Sequence, residues 1–209
     1  MKNVLILGAG GQIARWVIQL LAGDSNIRLT LFLRNARRLA GENAHVVEGD
    51  VLDRSSLDAA MTGQEVVYAN LTGDDIDAQA QSVIASMKAA GVKRLVFVTS
   101  LGIYDEVPGA FGEWNRREIG EYLPPFRRAA DTIEASGLAY TILRPAWLSD
   151  VDEVDYAITA RNQPFGGTEV SRKSVAALIA KIIASPGLHV GGNLGVHKPG
   201  SDGEKPSFL

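Results

Sequence analysis

The sequence predicts an α/β fold, a single domain in which helices cover both faces of a doubly wound parallel sheet. Short apolar runs alternate with amphipathic helical segments along most of the chain, which is typical of such sheets. The apolar runs are continuous, as expected of strands buried on both faces. The chain has 209 residues and no linker or repeat, so its length fits one domain.

The first predicted elements follow one another closely. Val4–Leu7 is a short apolar strand that ends at glycines, and Ile13–Leu21 repeats apolar residues at the spacing of a helix. Ile27–Leu33 is a second apolar run rich in β-prone residues. His45–Glu48, with its two valines, is a third. The first two strands and the helix between them predict one strand–helix–strand unit, which the third strand follows.

The middle of the chain continues the alternation. Leu57–Met61 predicts a short helix, and Glu65–Ala69 predicts the fourth strand. Ile76–Ala90 predicts a longer helix, because apolar residues recur along it and Gly91 follows as a helix-ending residue. Arg94–Thr99 is the fifth and most apolar strand.

The last third contains fewer regular signals. Pro124–Ser136 predicts a helix that ends at Gly137, and Tyr140–Leu143 predicts the sixth strand. Val175–Ala184 predicts a late helix, and small elements of this region are expected on the substrate side. Gly191–Leu209 is rich in glycine, proline and polar residues, so we expect a loop-like tail.

Composition excludes several classes of protein. The chain has no cysteine, which rules out disulfides, iron–sulfur clusters and thiol catalysis. Its three histidines are widely separated, and we predict no metal site. The net charge of −3 argues against nucleic acid as a partner. No apolar run is long enough for a membrane span, and with no visible export signal we expect a cytoplasmic protein.

A glycine-rich turn joins the first strand to the first helix. Gly8, Gly11 and Ala14 match the spacing Gly-x-x-Gly-x-x-Gly/Ala, in which glycines permit a tight turn and close approach of a diphosphate. The helix N-terminus then faces that anion. The alternative, a plain turn, is disfavoured by the strand–helix–strand context. The predicted cofactor contacts here are Gly8, Gly10, Gly11, Gln12 and Ile13.

The residues after the second strand indicate which dinucleotide is bound. Sites specific for NAD place a carboxylate there, whereas this chain has Arg34, Arg37 and Arg38. A guanidinium forks onto a phosphate, so Arg34 and Arg38 predict a clamp for the 2′-phosphate of NADP(H). The alternative is a solvated basic turn.

Two further segments fit the same cofactor. Asp50 and Val51 follow the third strand and are predicted to contact the adenine, whereas Asp53 is equally well explained as a helix N-cap. The segment Asn70-Leu71-Thr72-Gly73 follows the fourth strand and is predicted to lie beside the cofactor.

The chain resembles the atypical short-chain dehydrogenase/reductases, in particular the NmrA-like proteins and the biliverdin-IXβ/flavin reductases. The resemblance covers residues 1–185 and rests on the glycine turn, Arg34-Asn35, Gly49-Asp50-Val51, Thr99-Ser100 and the stretch Tyr140-Thr141-Ile142-Leu143-Arg144-Pro145. It implies a Rossmann fold that binds NAD(P). It also implies further cofactor contacts from Leu71, Thr72, Ser100, Pro145 and Ala146.

The chain departs from ordinary members of that group. No tyrosine is followed four positions later by lysine, although that pair normally supplies the proton for alcohol and ketone chemistry. Flavins, quinones and tetrapyrroles are easier acceptors, because hydride transfer to a conjugated ring can take its proton from water. Ser100 and Tyr104 remain the predicted catalytic residues.

The segment from Gly102 to Arg117 mixes glycine, proline and aromatic residues and predicts a shaped loop that faces the substrate. The predicted substrate contacts are Tyr104, Phe111, Trp114, Arg127 and Trp147. The alternative is that these aromatic side chains attach the loop to the body of the protein.

Two functions remain open from the sequence. The first is an NADPH-dependent oxidoreductase that passes hydride to a small planar acceptor, which would be its small-molecule partner. The second is a non-catalytic sensor of NADP(H), of the NmrA type. An epimerase or dehydratase of nucleotide sugars is disfavoured by the missing Tyr–Lys pair and the short C-terminal part. The sequence leaves the oligomeric state open.

Overall fold

The computed structural model describes residues 1–39 and 44–209. The strands are β1 Lys2–Leu7, β2 Ile27–Leu33, β3 His45–Glu48, β4 Val66–Ala69, β5 Arg94–Val98, β6 Ala139–Pro145, β7 Trp147–Ser149, β8 Ala157–Thr159, β9 Glu169–Ser171 and β10 Gly192–His197. The helices are α1 Gln12–Leu21, α2 Arg54–Met61, α3 Ile76–Ala90, α4 Gly109–Ile119, α5 Leu123–Glu134 and α6 Arg172–Ala184. The predicted alternation of strands and helices is confirmed.

The main sheet has eight strands in the order β3-β2-β1-β4-β5-β6-β10-β8. All neighbours are parallel except β10 and β8, which pair antiparallel. After β1 the chain builds outward to β3 and then returns to place β4 on the other side of β1. The strand order therefore reverses between β1 and β4, and a crevice opens at their carboxyl ends.

Both faces of this sheet are buried, which explains the continuous apolar runs. In β1, Val4 and Ile6 belong to the core beneath α1 and α6, whereas Leu5 and Leu7 belong to the core beneath α2, α3 and α5. All four side chains are fully buried. Where both faces of a strand are covered, consecutive residues must be apolar, because alternate side chains point to opposite faces.

The predicted loop-like tail is partly wrong. Residues Gly192–His197 form β10, which lies parallel beside β6 and carries β8 on its other side. A Cβ added at Gly195 would lie 2.4 Å from Thr159 Oγ1 and 2.7 Å from the Phe165 ring. Packing therefore requires glycine at this position of the strand. Because glycine interrupts the apolar pattern, the sequence does not predict the strand. Residues 198–209 contain no helix or strand.

The predicted loop between Gly102 and Arg117 is also corrected, since its second half is the helix α4. The segment reads as a loop because it contains three glycines among polar residues. One of them, Gly112, is required by packing, because a Cβ there would lie 2.0 Å from the carbonyl oxygen of Val107. Phe111 and Asn115 are the buried side chains that hold the helix in place.

Helix ends follow local chemistry. The side chain of Asp53 accepts a hydrogen bond from the N–H of Ser55 and caps α2, so the capping interpretation of this residue is confirmed. Ser171 caps α6 by accepting from the N–H of Ser174 at 3.0 Å. That cap starts the helix at Arg172, three residues before the predicted start at Val175. None of the helices in residues 1–39 and 44–209 is both long and apolar enough to span a bilayer.

Candidate cofactor and active site

A cavity of about 780 Å³ lies at the carboxyl edge of the sheet, where the strand order reverses. It extends from the end of β2, past the turn between β1 and α1, to the end of β5 and the start of α6. The structure brings together in its lining most of the predicted cofactor residues: Gly8, Gly10, Gly11, Gln12, Ile13, Arg34, Asp50, Val51, Leu71, Thr72 and Ser100.

The glycine turn is tightly packed against the segment that follows β4. Gly8 has φ +71°, and a Cβ there would lie 2.2 Å from the carbonyl oxygen of Asn70. A Cβ at Gly11 would lie 2.0 Å from Asn70 Nδ2. The N–H of Gly11 donates to the carbonyl oxygen of Gly8 at 3.0 Å and closes the turn. Both glycines are therefore required by geometry.

The N-terminus of α1 faces the cavity with its first N–H groups available. Gly11 occupies the capping position, and none of the described side chains caps the helix there. The first N–H groups of a helix lack partners within the helix, and its dipole favours an anion at this end. Gln12 and Ile13, the first two helical residues, line the cavity. A diphosphate fits this arrangement.

Arg34 lies at the end of the cavity next to β2 and is exposed. The turn that follows is ordered by two side chains: Asn35 Oδ1 accepts from the N–H of Arg37 at 3.1 Å, and Glu48 Oε2 accepts from the N–H of Ala36 at 2.9 Å. The Arg38 side chain, the second predicted phosphate ligand, lies outside the described residues.

The predicted adenine contacts lie across from this turn. Asp50 Oδ1 accepts from the N–H of Leu52 at 2.9 Å, which uses one oxygen of the carboxylate. Val51 is almost fully buried and lines the wall. A Cβ at Gly49 would lie 2.6 Å from the Phe32 ring, so only glycine lets the backbone pass this close to that ring.

The opposite end of the cavity carries a hydroxyl, an aromatic ring and a guanidinium. Ser100 lies after β5, and Phe126 projects from α5. Arg172, the first residue of α6, donates from Nη1 to the carbonyl oxygen of Leu148 at 3.2 Å and to Asp150 Oδ1 at 2.8 Å. Only 18 % of its side chain is exposed, and it lines the cavity.

Pro145 and Ala146, which the family resemblance implies as cofactor contacts, are buried and do not line the cavity. The carbonyl oxygen of Pro145 accepts from the N–H of Leu101 at 3.2 Å. The N–H of Ala146 donates to the carbonyl oxygen of Val196 at 2.9 Å. These backbone groups are engaged by the sheet that β10 completes, which the sequence did not reveal.

Tyr104, predicted as a catalytic and substrate residue, lies outside this cavity. It lines a separate depression of about 610 Å³ together with Arg127 and Arg161. Their guanidinium carbons lie 4.4 and 4.1 Å from the centroid of its ring. Asn193 Nδ2 donates to its hydroxyl at 2.9 Å, and burial raises the pKa of Tyr104. This environment holds the phenol neutral and away from the predicted cofactor.

Arg127 also turns away from the cavity. Its guanidinium pairs with Asp131 at 2.9 Å and donates to the carbonyl oxygen of Ile103 at 3.2 Å. The loop between these residues and Ser100 is held from beneath by Glu106, which accepts from the N–H groups of Gly102 and Tyr104 and pairs with the buried Arg144. Arg127 thus lines the separate depression and not this cavity, and its role as a substrate ligand stays a prediction.

The remaining predicted substrate residues form a packing cluster. Phe111 is 6 % exposed and stacks on Trp114, with ring centroids 6.0 Å apart. Trp114 lies 4.7 Å from Trp147, whose Nε1 donates to Asn115 Oδ1 at 2.8 Å. None of the three rings lines the cavity. The structure thus favours the alternative reading, in which these side chains attach α4 to the body of the protein.

Several lining residues were not predicted from the sequence, notably Asp75, Gln79, Phe126 and Arg172. Gln79 Nε2 donates to the carbonyl oxygen of Thr72 at 3.0 Å and to Asp75 Oδ1 at 2.6 Å, which fixes the loop after β4. Asn70 belongs to the segment that the sequence predicts beside the cofactor, because it is the first residue after a strand that borders the crevice. The others reach the cavity only through the packing of helices.

The glycine turn, the open helix N-terminus and the guanidinium after β2 define a dinucleotide-binding protein of the Rossmann type. A model of the NAD(P)H-binding family matches residues 8–186, and the chain belongs to that family.

Solved structures agree with this assignment. A Rossmann-fold NAD(P)-binding family protein from Shigella flexneri is 57% identical, with 100% of both chains covered and a TM-score of 0.87. A short-chain dehydrogenase/reductase from Veillonella parvula, solved in complex with NADP, is 28% identical, with 99% of both chains covered and a TM-score of 0.90.

A curated relative is a reductase of (4-alkanoyl-5-oxo-2,5-dihydrofuran-3-yl)methyl phosphate from Streptomyces griseus. It is 29% identical over 142 residues, which are 68% of this chain and 46% of the Streptomyces protein. The match thus spans about half of that relative's length.

Proposed function

We propose that this protein is an NADPH-dependent oxidoreductase that passes hydride to a small planar acceptor such as a flavin, a quinone or a tetrapyrrole. One observation carries the proposal: the cavity does not end at the glycine turn but continues to Ser100, Phe126 and Arg172. A dinucleotide laid along the turn would leave its nicotinamide at this end. Phe126 then offers a stacking surface, and Arg172 offers a positive charge to an acidic substituent.

The choice of NADP(H) over NAD(H) rests on the adenosine end. The residue after β2 is Arg34, whereas NAD-specific sites place a carboxylate there. Glu48 is the nearby acid from β3, but its carboxylate accepts from the N–H of Ala36. The Glu48 carboxylate therefore stabilises the turn, and Arg34 is the charged side chain that would contact the ribose.

The chemistry suits an easily reduced acceptor. The bound dinucleotide would supply the hydride, and the protein would orient the two rings and exclude water. Ser100, whose hydroxyl donates to the carbonyl oxygen of Leu101 at 3.2 Å, would supply a hydroxyl at that end. No tyrosine lies among the residues described as lining the cavity, so the proton that follows the hydride would come from solvent.

The test is oxidation of NADPH, followed by absorbance, with FMN, a soluble neutral quinone and a linear tetrapyrrole as separate acceptors. We expect steady turnover with at least one of them. Tight binding of NADP⁺ without turnover on any acceptor would contradict the enzyme and favour the sensor function.

Arg172→Gln sharpens this test. We expect it to raise KM for FMN about tenfold, because a charge-assisted hydrogen bond is lost, and to leave the neutral quinone unaffected. Lys173→Gln is the matched control, since Lys173 pairs with Asp152 outside the cavity. Equal effects of the two variants on both acceptors would refute the assigned role of Arg172.

A further inference from the structure

We infer that Asn70 is a ligand of the cofactor diphosphate, donating from Nδ2 to a phosphate oxygen, and that Tyr68 sets the orientation of its amide. The inference deepens the proposed function and rests on dinucleotide binding at the glycine turn. It assigns a specific task to a side chain that the glycine-turn pattern does not include.

Asn70 lies at the centre of the crevice. It is the first residue after β4, and its N–H donates to the carbonyl oxygen of Leu7 at 2.9 Å, which ties it to the end of β1. Its carbonyl oxygen and its Nδ2 occupy the positions where side chains at Gly8 and Gly11 would project. The amide therefore lies directly beside the turn that would hold the diphosphate, and it lines the cavity.

Tyr68 fixes which way the amide faces. The two residues lie two positions apart, so their side chains leave the chain on the same side. The Tyr68 hydroxyl donates to Asn70 Oδ1 at 3.1 Å, and Tyr68 is fully buried. Burial also raises the pKa of Tyr68 well above its usual value, so the hydroxyl keeps its proton. With Oδ1 held by this donor, Nδ2 is left facing the turn.

The Nδ2 group has hydrogens to give. Within residues 1–39 and 44–209 it donates no hydrogen bond to a protein acceptor. The opposite amide orientation would present Oδ1 to the phosphate oxygens, where two acceptors repel. The observed orientation is the one that suits an anion.

The experiment compares two ligands on three proteins by titration calorimetry. NADP⁺ contains the diphosphate, whereas adenosine 2′-monophosphate keeps the adenine and the 2′-phosphate but lacks it. Asn70→Asp is nearly isosteric and replaces the donor with an anion. Tyr68→Phe keeps the buried ring and removes only the orienting hydroxyl. Thermal unfolding of each protein reports separately on stability.

We expect Asn70→Asp to raise the Kd for NADP⁺ by about 10- to 100-fold, as loss of a charge-assisted hydrogen bond implies. Tyr68→Phe should raise it by about three- to tenfold, because the amide can then rotate. Both variants should bind adenosine 2′-monophosphate within about twofold of the wild type. If Asn70→Asp does not fold, Asn70→Ala replaces it, with an expected rise of about tenfold.

Unchanged NADP⁺ affinity in the Asn70 variants would overturn the inference, and unchanged affinity in Tyr68→Phe would overturn the orienting role. An equal loss of both ligands would show a structural role and overturn it as well. Failure of the wild type to bind either ligand would be a different result, because it would refute the proposed function itself.

Discussion

Gly11 meets two requirements at one position: the chain must cap α1 without a side chain, and the amide of Asn70 must lie against it. Gly8 also meets two requirements. Its φ is positive, and a Cβ there would lie 2.2 Å from the carbonyl oxygen of Asn70. Spacing in the sequence reports these requirements directly, since only glycine satisfies them. This is why the turn could be predicted from residues alone.

Gly11→Ala tests the turn at the residue scale. The added Cβ would lie 2.0 Å from Asn70 Nδ2, so either the turn or the amide must move. We expect the Kd for NADP⁺ to rise at least about tenfold, because a diphosphate depends on closely placed N–H groups. Gly23→Ala is the matched control, since its Cβ meets nothing within 4 Å. Equal affinities of the two variants would contradict the assignment.

Arg34→Gln tests the phosphate clamp. Removal of the guanidinium should raise the Kd for NADP⁺ by about 10- to 100-fold and leave the Kd for NAD⁺ within about twofold, because only NADP⁺ carries the 2′-phosphate. Arg28→Gln controls for net charge, since Arg28 is an exposed residue of the same strand and does not line the cavity. A parallel loss of both dinucleotides would count against a 2′-phosphate clamp.

At the scale of elements, prediction succeeded where each strand or helix carries its own signal. The strands β1, β2 and β5 contain continuous apolar runs because both of their faces are covered there, and α3 ends where Gly91 adopts φ +73°. Prediction failed where packing against other elements determines the residues of an element. The strand β10 and the helix α4 contain glycines that packing requires, and glycines in a sequence are typical of loops.

The same contrast explains the site. The glycine turn and Arg34 lie within or beside their strands, and local spacing finds them. Arg172 reaches the cavity only because α6 packs beside α1, and Tyr104 leaves it because Asn193 of β10 donates to its hydroxyl. Both contacts, of α6 with α1 and of Asn193 with Tyr104, join residues far apart in the sequence, so local spacing does not predict them.

Gly195→Ala tests whether β10 is a packed strand of the sheet. The new Cβ would lie 2.4 Å from Thr159 Oγ1 and 2.7 Å from the Phe165 ring, in a buried region. Overpacking of this kind costs about 1–3 kcal/mol, so the urea midpoint of unfolding should fall. Gly187→Ala, whose Cβ meets nothing within 4 Å, should leave it within error. A stable Gly195→Ala protein would contradict the packing of β10 against β8.

At the scale of the whole molecule, the cavity joins the two halves of the sheet. One half, β1 to β3, supplies the glycine turn and Arg34, whereas β4, β5 and α6 supply Asn70, Ser100 and Arg172. A dinucleotide that fills the cavity touches both halves at once. It can bind only when the whole sheet is assembled, so binding must stabilise the fold as a unit.

This coupling gives the last prediction. NADP⁺ present at about 100 times its Kd should raise the free energy of unfolding by about 2.7 kcal/mol, measured by urea denaturation. NAD⁺ at the same concentration should give a smaller increase, and Arg34→Gln should remove the difference between the two dinucleotides. An increase that is equal for both in the wild type would contradict the 2′-phosphate clamp. No increase with either would mean that the assembled cavity does not hold a dinucleotide, because a ligand bound only by the folded state must stabilise it.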